Sequence, residues 1–430
     1  MSITISHMTP DTAVHAVRSI DATLTVRRPD GSPCADTEVL VEQTRHEFAF
    51  GNIGFDFVGL ANQEQGAGRE NVFGGADPAA AGRLEELFVD VFNTATLPFY
   101  WAGFEPAEGR PDTARLQAAA RWFRDRGVAV KGHPLVWHTL APDWLREHTD
   151  AEVEEIVRAR VRREVSSFAG LVDTWDAINE VVIMPVFSNE ERQNAITRLC
   201  RRIGRIPTIR LAFEEAHGTD PATTLVLNDF NLGTAYECLI EGVLEAGVQV
   251  DAIGLQSHMH QGYWGEERTQ EVCDRFARYG LPLHWTETTL VAGDLMPAEI
   301  VDLNDHQVDE WPSTPAGEQR QAEDVVRHYR TLLAHPAVQA VTYWGITDQG
   351  AWLGAPAGLV RADGTPKPAY DALRGLVKEE WWLAPTRLRT DGEGRVAVRG
   401  WAGDYAVSAA GGTASWQLRA DAPTAVVTLP

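Results

Sequence analysis

Residues 128–180 read VAVKGHPLVWHTLAPDWLREHTDAEVEEIVRARVRREVSSFAGLVDTWDAINE. The stretch opens on an apolar run, Val128-Ala129-Val130, that predicts a strand over 128–137, and closes on a second strand over 173–179. Between them Val153, Ile156, Val157, Val161 and Val165 recur at helical spacing. They predict a helix over about 151–169, with Asp150 as its cap. Strand, amphipathic helix, strand is a βαβ unit, whose two strands lie parallel in one sheet.

The same rhythm runs outward in both directions. Further strands are predicted at 48–53, 92–97, 223–230, 250–257, 282–287 and 338–345. Helices are predicted near 79–91, 113–126, 190–217, 234–246, 267–279, 318–334 and 367–378. Eight strand–helix units point to the α/β class and to a (β/α)8 TIM barrel. An open, doubly wound sheet would want a glycine-rich phosphate loop after an early strand, and the sequence offers none.

Outside this region the pattern changes. Thr23–Val26 and Glu38–Glu42 alternate as strands around a turn at Pro29–Pro33. After residue 380 the helices stop, and short alternating runs such as Arg395–Arg399 and Ala425–Thr428 follow. The expected organisation is an N-terminal β-rich segment over 1–46, the barrel over 47–380 and a small C-terminal β module over 381–430, able to pack on the N-terminal strands.

Composition narrows the partners. The 430 residues carry 38 Lys plus Arg against 61 Asp plus Glu, a net charge of −23. Such a surface repels nucleic acid and anionic membranes and suits a neutral substrate. No stretch reaches about 18 apolar residues, and no basic segment followed by an apolar run opens the chain. The location expected on that basis is cytoplasmic, or secreted if a leader has been trimmed. Cys34, Cys200, Cys238 and Cys273 show no metal-ligand spacing and are expected to be free, buried thiols. The 14 Trp are many for this length, and a flat indole stacks well on pyranose C–H groups. About half of them are expected in the core. Nothing in the sequence sets an oligomeric state.

In a (β/α)8 barrel the active site lies at the C-terminal ends of the strands. The fourth predicted strand ends Trp175-Asp176-Ala177-Ile178-Asn179-Glu180, and the seventh ends Leu283-His284-Trp285-Thr286-Glu287. Two carboxylates there face each other across the barrel mouth. Glycoside hydrolysis with retention needs such a pair, about 5–5.5 Å apart, one protonated and one ionised. Either glutamate alone reads equally as a salt-bridge partner. The pair, each within an aromatic-rich strand end, reads as chemistry.

The other strand ends add Gly132-His133-Pro134-Leu135-Val136-Trp137-His138, Leu227-Asn228-Asp229-Phe230-Asn231, Ile253-Gly254-Leu255-Gln256-Ser257-His258-Met259-His260 and Tyr343-Trp344-Gly345-Ile346-Thr347-Asp348, then Trp352. Two readings compete with glycoside hydrolysis. His133, His138, His258, His260, Asp229 and Glu287 could furnish the metal of a barrel hydrolase. A non-catalytic carbohydrate-binding protein would need neither glutamate. The glycosidase reading needs no metal and no cofactor.

At these residues the chain resembles glycoside hydrolase family 10, the β-1,4-xylanase family. The resemblance runs from about His46 to Leu376. It rests on Gly132–His138, Trp175–Glu180, Asn228–Asn231, Gln256–His258, Thr286-Glu287, Trp344–Asp348 and Pro366–Tyr370. It implies Glu180 as acid/base and Glu287 as nucleophile of a retaining, endo-β-1,4-xylanase-like enzyme acting on xylan or xylo-oligosaccharides. It also implies that Asn179 bonds the sugar 2-hydroxyl, that His133 and Gln256 touch that sugar or the nucleophile, and that Trp137, Trp344 and Trp352 wall the site. His258 is the strand-six histidine of the motif.

Two departures stand out. The family's E-N-x-M-K-W segment, which holds a second glycone sugar, is replaced by the shorter Asn93–Trp101. Tyr100 falls where the Lys would be, and Trp101 realigns with the family; both are carried as substrate-binding candidates. Thr289 stands where the family has an Asp that orients the histidine. The shorter segment makes a β-glycosidase on short, aryl or apolar-aglycone β-glycosides the alternative substrate reading.

Overall fold

The computed structural model describes residues 10–64, 78–187 and 194–430. Its strands, in chain order, begin with β1 Ser19–Arg27 and β2 Glu38–His46. Eight follow: β3 Ala49–Ile53, β4 Thr94–Pro98, β5 Ala129–His133, β6 Thr174–Asn179, β7 Thr224–Asp229, β8 Ala252–Met259, β9 Leu283–Leu290 and β10 Val338–Tyr343. These eight close a parallel barrel in the order β10-β3-β4-β5-β6-β7-β8-β9. Helices connect consecutive barrel strands, and the (β/α)8 expectation holds. One apolar core spans the strands and the inward helix stripes, with Trp175 and Trp285 among its largest members. No helix of the described residues is long and apolar enough to cross a membrane.

The remaining strands are β11 Thr386–Arg389, β12 Arg395–Trp401, β13 Gly403–Ala409, β14 Gly412–Leu418 and β15 Thr424–Thr428. They do not form a sheet of their own. β1 lies between β12 and β15, and β2 lies between β11 and β13, with β14 beyond β13. The two ends of the chain therefore share two sheets, packed over a separate core that includes Leu24, Val41, Tyr405 and Trp416.

Several local expectations are corrected. The helix Asp150–Ser167 is capped by Thr149, not Asp150. Thr149 has extended backbone, its side chain accepts from the Glu152 N–H, and Glu152 accepts from the Thr149 N–H at 2.8 Å. That is a capping box, and Asp150 is the first helical residue, where its charge faces the helix N-terminus. The single helix expected over 190–217 is two, Ala195–Ile203 and Arg205–Thr219, parted at Gly204 with φ 93°; positions 190–193 lie outside the described residues. The β-rich N-terminal segment contains a helix, Pro10–Arg18, whose Val14 is buried in the barrel core. Arg18 donates to the carbonyls of Leu333, His335 and Val338. Cys34, Cys200 and Cys273 are free and buried, but Cys238 is exposed. It lies off the stripe of Tyr236, Leu239, Ile240 and Val243 that its helix buries.

Candidate active site

Both strands that carry the paired glutamates are irregular just before them. β6 has one extra residue between Asp176 and Ile178 relative to β7, and β9 has one between Trp285 and Glu287 relative to β8. A bulge re-aims the side chains that follow it, because the period of a strand is two. Here it turns the polar residues after it toward the barrel axis. Across the strands, Asn179 pairs with Asn228 and Gln256 pairs with Glu287.

Glu180 sits one residue beyond β6, with φ 57° and its N–H bonded to the Asn228 carbonyl at 2.9 Å. A left-handed non-glycine residue is strained, and such strain is held where surrounding structure over-determines it. Trp137 Nε1 donates to its Oε2 at 2.8 Å, and Gln256 Nε2 donates to its Oε1 at 3.2 Å. Burial pushes the carboxyl up to about 8, and the negative charge of Glu287 pushes in the same direction.

Glu287 is buried and held from two sides. Asn228 Nδ2 donates to Oε1 at 2.9 Å, and the His258 Nε2 lies 3.1 Å from Oε2. An ionised carboxylate only accepts, so Nε2 carries the hydrogen in this pair. The other ring nitrogen, Nδ1, meets the Thr289 hydroxyl at 2.9 Å. Thr289 thus fixes the ring of His258 through its hydroxyl.

Asn228, which the strand-five motif contains but to which the sequence assigns no role, ties these parts together. Asn228 Nδ2 also donates to Asn179 Oδ1 at 2.9 Å, and its own Oδ1 accepts from the Thr286 hydroxyl at 2.6 Å. Asn179 Oδ1 accepts a second bond from Gln256 at 3.1 Å. Asn228 was visible as a polar residue closing an apolar strand, but its partners Asn179, Thr286 and Glu287 lie 49, 58 and 59 positions away.

His133 Nδ1 lies 2.6 Å from Asp176 Oδ2, and Lys131 Nζ lies 2.8 Å from the same oxygen. Burial pushes Asp176 up, but Lys131 and His133 outweigh it and hold the carboxyl below its ordinary range. Tyr100 packs edge-on to His133 and against Trp137, with ring centroids 5.5 and 5.6 Å away. Burial, and the charges of Glu287 and Glu180, push its phenol well above the ordinary value. Trp344 lies edge-on to His133 at 5.2 Å and to His258 at 6.2 Å. Trp352 lies edge-on to His258 at 4.8 Å.

The structure thus brings together Glu180, Glu287, Asn179, His133, Trp137, Gln256, His258, Trp344, Trp352 and Tyr100. It does not bring Trp101 there. That residue starts the short helix Trp101–Phe104, which turns the indole into the core. Its Nε1 donates to Glu105 at 2.9 Å, and the Arg160 guanidinium lies 4.5 Å over its ring. Leu97 and Phe99 are also buried, Phe99 against Phe168 and Trp175. Of the metal-reading residues, Asp229 accepts backbone N–H bonds from Val182 and Asn231, His138 packs on Phe187, and His260 packs on Trp352. Among the described residues no three His, Cys, Asp or Glu are grouped as metal ligands.

The family model described as glycosyl hydrolase family 10 matches residues 83–376. Among curated relatives, the chain is 29% identical over 295 residues to endo-1,4-beta-xylanase B of Thermotoga neapolitana, covering 65% of this chain and 78% of that protein. It is 27% identical over 272 residues to an endo-1,4-beta-xylanase of Geobacillus stearothermophilus, covering 58% and 75%. Among solved structures it is similar to a GH10 protein of Paenibacillus barcinonensis, with TM-score 0.61, 24% identity and 78% and 96% of the two chains covered. It is also similar to xylanase 10B of Thermotoga petrophila in complex with xylobiose, with TM-score 0.60, 22% identity and 78% and 95% covered.

Proposed function

The chain belongs to glycosyl hydrolase family 10, and on that premise we propose that it cleaves β-1,4-linked xylose chains with retention, Glu180 serving as acid/base and Glu287 as nucleophile. The observation that carries this reading is the coupling of the two carboxyls. Burial and the charge of Glu287 push Glu180 up to about 8, which keeps it protonated at neutral pH, and one hydrogen-bonded chain joins it to Glu287 through Gln256, Asn179 and Asn228.

In the first step Glu287 Oε attacks the anomeric carbon as the C–O bond to the leaving group breaks. The Glu180 proton passes to the departing oxygen, which leaves as an alcohol. In the second step water attacks the same carbon, the Glu180 carboxylate takes the water proton, and Glu287 is released as a carboxylate. Two inversions leave the β-configuration in place. Both acceptor bonds to Asn179 fall on Oδ1, which leaves its amide NH2 to donate to the 2-hydroxyl. Gln256 and Trp137 orient Glu180, and His258 orients Glu287. The substrate class is supported by relatives named as endo-1,4-beta-xylanases.

The test separates the two glutamates. Glu180→Ala should lose most activity on glycosides with poor leaving groups and little on an activated aryl glycoside, because a good leaving group needs no proton. Azide should restore the activated substrate and yield a β-glycosyl azide. Glu287→Ala should be inactive on all of them. Equal losses of Glu180→Ala across leaving groups would remove Glu180 from its role, and inactivation by EDTA would favour the metal-dependent alternative.

A further inference from the structure

Three consecutive barrel strands, β10, β3 and β4, each place an aromatic ring just past their C-terminal end: Trp344, Phe55 and Tyr100. The three rings pack on one another. Phe55 stands edge-on to Tyr100 and to Trp344, with centroids 5.8 Å away in both cases. Phe55 is 0% exposed, and Tyr100 and Trp344 are 7% exposed. Ile53 completes the cluster, and Trp137 and Leu140 pack against it. The chain that delivers Phe55 has no room to shift. The Gly54 N–H is bonded to the Thr96 carbonyl at 2.8 Å, and a Cβ at Gly54 would come within 2.6 Å of the Phe123 ring.

The opposite arc is different. Beyond β6, Val186 is 62% exposed, and at the end of β7 Phe230 is 46% exposed. Glu180, the proton donor, stands on this arc, so the leaving group departs over it. On that assignment the glycone sugar lies on the side of the closed arc, toward Tyr100 and Trp344. Resting on the retaining assignment above, we propose that Phe55, wedged between Tyr100 and Trp344, ends the glycone side after one sugar, so that the enzyme releases single residues from the non-reducing end of short β-glycosides. Phe55 acts as a positioning residue: it holds the two rings that meet the sugar in the space a second glycone unit would need.

Among the described residues the closed arc presents mainly aromatic and aliphatic carbon, so a second sugar finds few partners there. A second glycone sugar that makes two or more good hydrogen bonds raises kcat/KM by about a hundredfold. The intact enzyme should therefore favour aryl β-xylobioside over aryl β-xyloside by less than about tenfold in kcat/KM, that is by less than about 1.4 kcal/mol. Phe55→Ala, with Phe55→Leu as a variant that keeps more of the buried volume, should raise that ratio by about tenfold or more. The ratio reads selectivity and is not moved by a general loss of folded protein. The intact enzyme supplies a second measurement: xylopentaose tagged at its reducing end should give tagged xylotetraose and free xylose first. A xylobioside preference of tenfold or more in the intact enzyme, an unchanged ratio in active Phe55 variants, or xylobiose as the first glycone product would each overturn the proposal. Failure of every aryl β-glycoside to react would instead overturn the retaining glycosidase reading itself.

Discussion

The proposed acid/base role of Glu180 is coupled to stability. Its carboxyl titrates near 8 in the folded enzyme, against an ordinary value of 4.5. If Glu180 is the proposed acid, that keeps it protonated at neutral pH, so kcat/KM on poor leaving groups should fall above about pH 8. For folding, the sign is unfavourable. Between pH 4.5 and 8 the folded state holds a proton that the unfolded state releases, so the contribution of Glu180 to stability falls as pH rises through that window. Glu180→Gln removes the penalty. Its Tm should exceed that of the parent at pH 9, and by more than at pH 5; a constant difference would show that the carboxyl is not raised. At this scale the two glutamates and the histidines were legible because a polar residue closing an apolar strand is conspicuous. The roles of Asn228 and Phe55 were not, because they exist only through contacts between strands far apart in the sequence. Trp101 was misplaced because alignment gives a position along the chain but not the direction in which a short helix turns its indole.

The elements were legible where periodicity is strong. All eight barrel strands fall within a few residues of their expected places, since short apolar runs bounded by helices leave little choice. Ends were harder. The helix Asp150–Ser167 begins at a capping box whose Thr149 and Glu152 the apolar stripe does not mark. Removal of the cap by Thr149→Ala should destabilise the protein by about 1 kcal/mol, within a range of about 0.5–2. Asp150→Ala should change it less, which paired denaturant midpoints would check. The bulges in β6 and β9 left no trace in the sequence reading either, because an extra residue is visible only against the neighbouring strand. They matter here because they turn Asn179 and Glu287 into the site.

On the scale of the whole molecule, the strands at the two ends depend on each other. β1 and β2 take β11, β12, β13 and β15 as their partners. A chain ending at Glu380 would leave both strands with open edges and uncover Leu24, Val26, Val39 and Val41. Such a truncation should bind hydrophobic dyes and aggregate. A monodisperse product with the parental Tm would show that the C-terminal strands are dispensable. The pairing could not be read from strand patterns alone, which fix no partners across more than 350 residues.

The barrel sets one carboxyl just past β6 and the other on β9, three strands on, and their action as a retaining pair is tested most directly by the anomer formed first. Proton NMR of the earliest product from an aryl β-xyloside, read before mutarotation, should show the β-hemiacetal, with the α-anomer growing only later. An α-anomer appearing first would contradict the assignment of Glu287 as nucleophile and Glu180 as acid/base.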